Sequence, residues 1–179
     1  MTADLTNIYP DLLALGSADQ YEEEIFEIIN EIKLFGTFSL DEVKSLCCFM
    51  QCYASPSDHT ILNEGENGDF LILILTGSVE VVKSKNKKDA RLISEEGVGS
   101  TLGEMSLIDG LPRIASCTAL VPTDFAVLTR ESFNDVLLKM PRLGNKLLII
   151  LLQSMSARLR EAIENPAPVF SSFQYGALV

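Results

Sequence analysis

Glu104 and Arg113 are the two residues whose types and spacing best serve chemistry here, and that chemistry is the capture of an anion that also carries a hydroxyl. Arg113 follows Glu104 by nine residues, and its planar guanidinium fork matches the oxygens of a phosphate. Gly103 leaves the backbone bare enough for a ligand to approach, and Glu104 to Ile108 are predicted to open a short helix whose first N–H groups would face a negative charge. Asp109-Gly110 turns the chain and Pro112 stiffens the return that carries Arg113 back. An ionised carboxylate is a pure acceptor, so Glu104 suits a sugar hydroxyl rather than the phosphate itself. The same residues also fit a blander arrangement, with Glu104 an ordinary first-turn acid and Arg113 paired with Asp109 on the surface.

The whole stretch from Gly103 to Ser116, GEMSLIDGLPRIAS, resembles the phosphate-binding cassette of cyclic-nucleotide-binding domains, found in catabolite activator proteins, kinase regulatory subunits and nucleotide-gated channels. The matching positions are Gly103, Glu104, Met105, Arg113, Ala115 and Ser116. The resemblance implies that Arg113 takes the exocyclic phosphate and Glu104 the ribose 2′-hydroxyl. Backbone N–H groups near Met105 and Ile114 would complete the clamp. One position departs: where the family usually carries Ala, Ser or Thr directly after the Arg, this chain has the bulkier Ile114. The hydroxyl that favours guanine in some family members is thereby missing, and the implied ligand is cAMP rather than cGMP. NEGENGDF, Asn63 to Phe70, resembles the family's glycine-rich turn, with Gly65 and Gly68 expected to serve the turn rather than a ligand.

Elsewhere the residues argue against other kinds of chemistry. Four cysteines, Cys47, Cys48, Cys52 and Cys117, and a single histidine, His59, form no CxxC and no well-spaced zinc set, so buried reduced thiols are expected and no metal. With only His59, neither a Ser-His-Asp nor a Cys-His arrangement can be built, so no catalytic residue is assigned. An enzyme acting on a small phosphorylated sugar could use Arg113 and Glu104, but the sequence offers it no base. The chain has 14 Lys and Arg against 25 Asp and Glu, a net charge of −11 that repels nucleic acid and anionic membrane. MTADLTNIYP lacks the basic start and apolar run of a signal peptide, so the cytoplasm is the expected location. The apolar run Leu147 to Leu152 is far short of the about 20 residues that a membrane helix needs.

These residues must be held by a scaffold. At 179 residues, 47% of them hydrophobic, the chain suits one compact unit. Ser17 with Gln20 reads as a capping box, followed by an amphipathic helix through Ile25, Ile28, Ile29 and Ile32 with an acidic face. Ser39 with Glu42 repeats the signal ahead of Leu40, Val43, Leu46 and Cys47. Strand-like segments then fall at 49–54, 60–63, 69–75, 78–84, 90–94, 99–102, 115–121 and 123–128, separated by turn residues. Phe70 to Leu75 is apolar at every step, so both of its faces should be covered. Lys83, Lys85, Lys87 and Lys88 gather at a hairpin tip, where they keep a turn wet.

Thr129 caps a helix that stops before Pro141, and Pro141 opens a long one running to Asn165. Its apolar residues surround the axis for two turns, more than one barrel can cover, and Leu148, Leu152, Met155, Leu159 and Ile163 predict a homodimer contact. The expected fold is mainly β with flanking helices: a jelly-roll barrel with N-terminal helices and two C-terminal ones. The expected divisions are a helical extension at 1–35, the barrel with cassette and hinge helix at 36–140, a lid and dimer helix at 141–165, and a tail at 166–179. A helix-turn-helix does not fit in that tail, so no DNA partner is expected. The expected function is a cyclic-mononucleotide sensor that signals to a downstream protein through its terminal helices. The alternative is a barrel of the same fold that has lost its ligand and serves as a dimerising scaffold.

Overall fold

The computed structural model describes residues 11–31, 38–84 and 90–164. Ile32, the lysines at positions 85, 87 and 88, and the tail at 166–179 lie outside the described residues. The chain runs β1 (Leu13–Ser17), a short 3-10 turn, α1 (Glu22–Glu31), α2 (Leu40–Cys47), β2 (Gln51–Ser55), β3 (Thr60–Leu62), β4 (Phe70–Ile74), β5 (Ser78–Ser84) and β6 (Ala90–Gly97). It continues with β7 (Thr101–Leu102), α3 (Glu104–Asp109), β8 (Ser116–Ala119), β9 (Thr123–Thr129), α4 (Arg130–Lys139) and α5 (Pro141–Glu164).

Two antiparallel sheets make the barrel, one ordered β1-β2-β9-β4-β7 and the other β3-β8-β5-β6. The unbroken apolar run of β4 has a direct explanation in the twofold alternation of a strand. Phe70, Ile72 and Ile74 point into the core between the sheets, with Tyr53, Phe125 and Val127. Leu71, Leu73 and Leu75 point the other way, into a second core shared with Ile25, Ile29, Val43, Phe133, Leu143, Leu147, Ile150 and Leu151 of the helices. Both faces are covered, as expected of such a run. Each large side chain so buried contributes about 1.5–3 kcal/mol relative to exposure.

Local signals set the helix ends. Ser39 Oγ accepts from the N–H of Glu42, and Glu42 Oε2 accepts from the N–H of Ser39 at 2.8 Å, completing the capping box. Glu42 also accepts from Lys146 Nζ at 2.6 Å, tying α2 to α5. Lys146 and the Ser39 N–H together hold the Glu42 carboxyl below its usual range. Thr129 Oγ1 accepts from the N–H of Ser132 and starts α4. α4 and α5 pack tightly at Gly144, where a Cβ would sit 3.0 Å from Leu137 Cα.

One expectation fails and another holds in part. Ser17 makes no side-chain cap; it ends β1, an edge strand paired with β2, and the chain passes through the 3-10 turn before α1 begins at Glu22. The barrel therefore has a strand ahead of its helices. The predicted dimer stripe is exposed at three of its five positions. Leu148 packs against the helix-side core and Met155 is half-buried, whereas Ile149, Leu152, Leu159 and Ile163 are exposed.

Candidate cassette site

Two glycines make room for the Arg113 side chain. A Cβ at Gly68 would lie 2.2 Å from Arg113 Cζ, and one at Gly103 would lie 2.4 Å from Arg113 Nη1. Gly103, at φ +83°, also ends β7 and starts α3, in a left-handed conformation that glycine adopts freely. Gly65 serves the turn as expected, with open space around it, but Gly68 does not merely turn the chain. Its missing side chain is where the guanidinium lies.

Arg113 is 5% exposed. Its Nη1 donates to the Gly103 carbonyl at 2.8 Å, its Nη2 donates to the Phe70 carbonyl at 2.7 Å, and its Cζ stands 4.7 Å from the centroid of the Phe70 ring. Its backbone is fixed too, because Arg113 N–H donates to the Glu66 carbonyl and Gly65 N–H donates to the Arg113 carbonyl, both at 2.8 Å. Burial and these bonds rule out the bland surface pairing with Asp109, whose Oδ1 accepts from the N–H of Leu111 instead.

Glu104, the first residue of α3, is 2% exposed, so it is no ordinary first-turn acid. Its Oε1 accepts from Nη1 of Arg158, a residue of α5 that lies 54 positions further along the chain. Arg158 Nη2 also donates to the Thr101 carbonyl and stands 3.9 Å from Glu96 Oε2. Sequence reasoning missed Arg158. Its signal was present: Leu143, Leu147 and Leu151 mark the buried face of α5, and Arg158 lies two turns beyond Leu151 on that same face. Arg130, missed as well, donates to the carbonyls of Ser106 and Gly68 and so braces the last turn of α3 against the glycine turn.

The remaining predicted residues are less buried. Met105 and Ile114 are exposed, and Ala115 and Ser116 are half-buried. The Ile114 carbonyl accepts from Lys83 Nζ, which also pairs with Glu64 at 2.7 Å. Lys83 and the Ser84 N–H hold the Glu64 carboxyl below its usual range. Ser116 Oγ accepts from the N–H of Glu64 at 3.0 Å, which joins the cassette to the glycine turn. The arrangement thus brings a buried guanidinium, a buried carboxylate and the first turn of α3 together around Gly103. Those groups can hold an anion and a hydroxyl of one molecule.

Burial pushes the thiols of Cys47, Cys52 and Cys117 up to about 12, which leaves them protonated at neutral pH. Among the described residues no group of three potential ligands stands ready for a metal ion. No helix among them is long and apolar enough to cross a membrane.

A crystallised cyclic nucleotide-binding domain from Methylobacillus flagellatus KT aligns with 88% of this chain, which in turn covers 89% of it, at 56% identity and a TM-score of 0.82. This chain belongs to the cyclic nucleotide-binding domain family. The family profile, described as the cyclic nucleotide-binding domain, matches residues 55–140, from the end of β2 to the end of α4. The chain is also similar to the cyclic AMP receptor protein of Thermus thermophilus, at 30% identity over 72% of the chain and 58% of that protein. A cAMP-dependent protein kinase regulatory subunit of Yarrowia lipolytica is 29% identical over 68% of the chain and 31% of the subunit. The chain spans less than two thirds of the length of either curated relative. As expected, the architecture is mainly β, with antiparallel sheets and flanking helices.

Proposed function

We propose that this cyclic nucleotide-binding domain is a non-catalytic sensor of a cyclic mononucleotide, taking cAMP in preference to cGMP. Arg113 takes the exocyclic phosphate together with N–H groups near Met105 and Ile114, and Glu104 accepts from the ribose 2′-hydroxyl. Gly103 gives the backbone room for this, and Ile114, Ala115 and Ser116 form the near rim. The single observation that carries this reading is the fixed placement of Arg113 and Glu104, both buried and held by hydrogen bonds, on either side of Gly103 in a chain of this family. A receptor protein and a kinase regulatory subunit named for cyclic AMP among the relatives support the choice of nucleotide. Ile114 supports it too, since its side chain offers no hydroxyl.

The barrel at 36–140 is the sensing unit in this reading, and α5 carries the signal to a downstream protein. The exposed positions Ile149, Leu152, Ser156, Leu159 and Ile163 recur every three or four residues, which suits pairing with the same helix of a second copy. Four free cysteines fit a reducing compartment, and we place the protein in the cytoplasm. The net charge of −11 argues against duplex DNA as a partner.

Calorimetric titration with cAMP, cGMP and AMP tests the reading. Binding in the order cAMP, cGMP, AMP is expected, and equal binding of AMP and cAMP would remove it. A second reading, a ligand-free dimerising scaffold, is favoured by one observation: Glu104 is already engaged by Arg158. It predicts no heat with any of the three nucleotides.

A further inference from the structure

Lys83, near the end of β5, does more than keep a turn wet, because its side chain folds back onto the cassette. Its Nζ donates to the carbonyl of Ile114 at 2.5 Å and pairs with Glu64 Oε1 at 2.7 Å. Glu64 is fixed in turn: its Oε2 accepts from the Ser84 N–H at 2.8 Å, and its own N–H donates to Ser116 Oγ at 3.0 Å. A closed loop of contacts joins the glycine turn, β5 and the end of the cassette.

The place where this loop closes gives it a consequence for the site. The Arg113 carbonyl accepts from the Gly65 N–H at 2.8 Å, so the peptide before Ile114 is pinned by backbone. In a planar trans peptide the N–H points opposite the C=O, so that bond turns the Ile114 N–H away from the glycine turn, and among the described residues no group accepts from it. The peptide after Ile114 is pinned by Lys83. With the peptides on both sides held, Ile114 has little freedom left in φ and ψ. Part-exposed ion pairs of this kind contribute little to stability, and Glu64 offsets the charge of the ammonium. The effect of Lys83 therefore falls on local geometry at Ile114 more than on folding or on attraction at a distance. We propose that Lys83 is a positioning residue for the phosphate. It acts through Ile114, whose N–H it keeps in the orientation offered to the anion, and Glu64 keeps Lys83 in place. This rests on the cyclic-nucleotide reading of the cassette.

The test separates positioning from simple attraction, because the two give Glu64→Gln opposite signs. The full chain, Lys83→Met, Lys83→Arg, Glu64→Gln and the combined Lys83→Met with Glu64→Gln are titrated with cAMP, and the Ile114 amide is followed by NMR. Lys83→Met is expected to lose about three- to tenfold in affinity, the worth of one hydrogen bond, with its melting temperature nearly unchanged. In the unaltered chain cAMP should move the Ile114 amide proton downfield, and in Lys83→Met that displacement should shrink. Lys83→Arg, which keeps a charged donor, should restore most of both. Glu64→Gln frees Lys83 from its anchor and should weaken binding, and the combined variant should lose no more than Lys83→Met alone. Tighter binding by Glu64→Gln would mean that Lys83 acts by charge, and it overturns the proposal even should Lys83→Met fold poorly. Unchanged affinity, or an unchanged Ile114 displacement, in Lys83→Met overturns it as well. If the unaltered chain gives no cAMP isotherm, the cyclic-nucleotide reading fails and the proposal falls with it; an unaltered chain that binds cAMP no better than Lys83→Met rejects the role of Lys83 alone.

Discussion

Gly68 and Arg113 occupy one space: a Cβ on the glycine would lie 2.2 Å from both Cζ and Nε of the arginine. The backbone at Gly68 needs no positive φ, so glycine is required there for room and not for conformation. The guanidinium is held in that room by the carbonyls of Gly103 and Phe70, and displacing it would break both bonds.

Gly68→Ala should therefore weaken cAMP binding more than it weakens the fold. Overpacking of this kind typically costs about 1–3 kcal/mol of stability. The affinity loss should exceed the roughly tenfold that about 1.4 kcal/mol represents, since the arginine proposed to take the phosphate is itself moved. A thermal melt and a calorimetric titration on one preparation check this, and unchanged affinity would show that the room at Gly68 has no bearing on the ligand.

Stability should respond to pH through Glu42. Lys146 and the Ser39 N–H depress its folded pKa, so the favourable contribution is present above its unfolded value, near the usual 4.5, and is lost as pH falls through the lower folded value. Glu42→Gln should lower the denaturant midpoint at pH 7 and converge with the unaltered chain at acid pH below both values. Because this side chain is a quarter exposed, the effect at pH 7 should be modest, on the order of 1 kcal/mol with the capping box included. A difference that persists undiminished in acid would place the cause elsewhere.

How much of this was legible beforehand depends on how local each signal is. The capping boxes and strands show the contrast. Ser39 with Glu42, Thr129, and the apolar run from Phe70 are set by neighbours in sequence, and each forms as its residues predict. Ser17 with Gln20 carries the same pattern, but LALGS pairs with β2 instead, with an irregularity between Ala14 and Gly16, and pairing of that kind is decided by tertiary contact. The cassette was legible because its glycine, carboxylate and arginine fall within one short stretch. The roles of Gly68 and Arg158 were not, because each is defined by a partner some fifty residues away or nearly so. The partly misassigned face of α5 has another cause: from Leu147 to Leu152 every residue is apolar, so the pattern alone does not say whether Leu148 or Ile149 turns outward.

The exposed seam of α5 should hold two copies together. Leu159 is 63% exposed and Leu152 is 59% exposed, so charges placed there leave the barrel's own core untouched. Leu152→Glu with Leu159→Glu should turn a dimer into a monomer of unaltered melting cooperativity, read by light scattering. Truncation at Met140 is a poorer test, because it would also remove Leu143, Leu147, Ile150 and Leu151 from the core. A mass by light scattering that is the same with and without the two charges would assign the seam to another partner.

The central claim is that Arg113 is the phosphate ligand of a cyclic-nucleotide site, and it is tested most directly by titrating the unaltered chain and Arg113→Ala with cAMP in one calorimeter. Removing one partner of a buried charged contact costs about 2–5 kcal/mol. The predicted result is a saturable cAMP isotherm for the unaltered chain and a loss of roughly 30- to 3,000-fold for Arg113→Ala, with both proteins folded by circular dichroism. Equal affinity in the two proteins would contradict it.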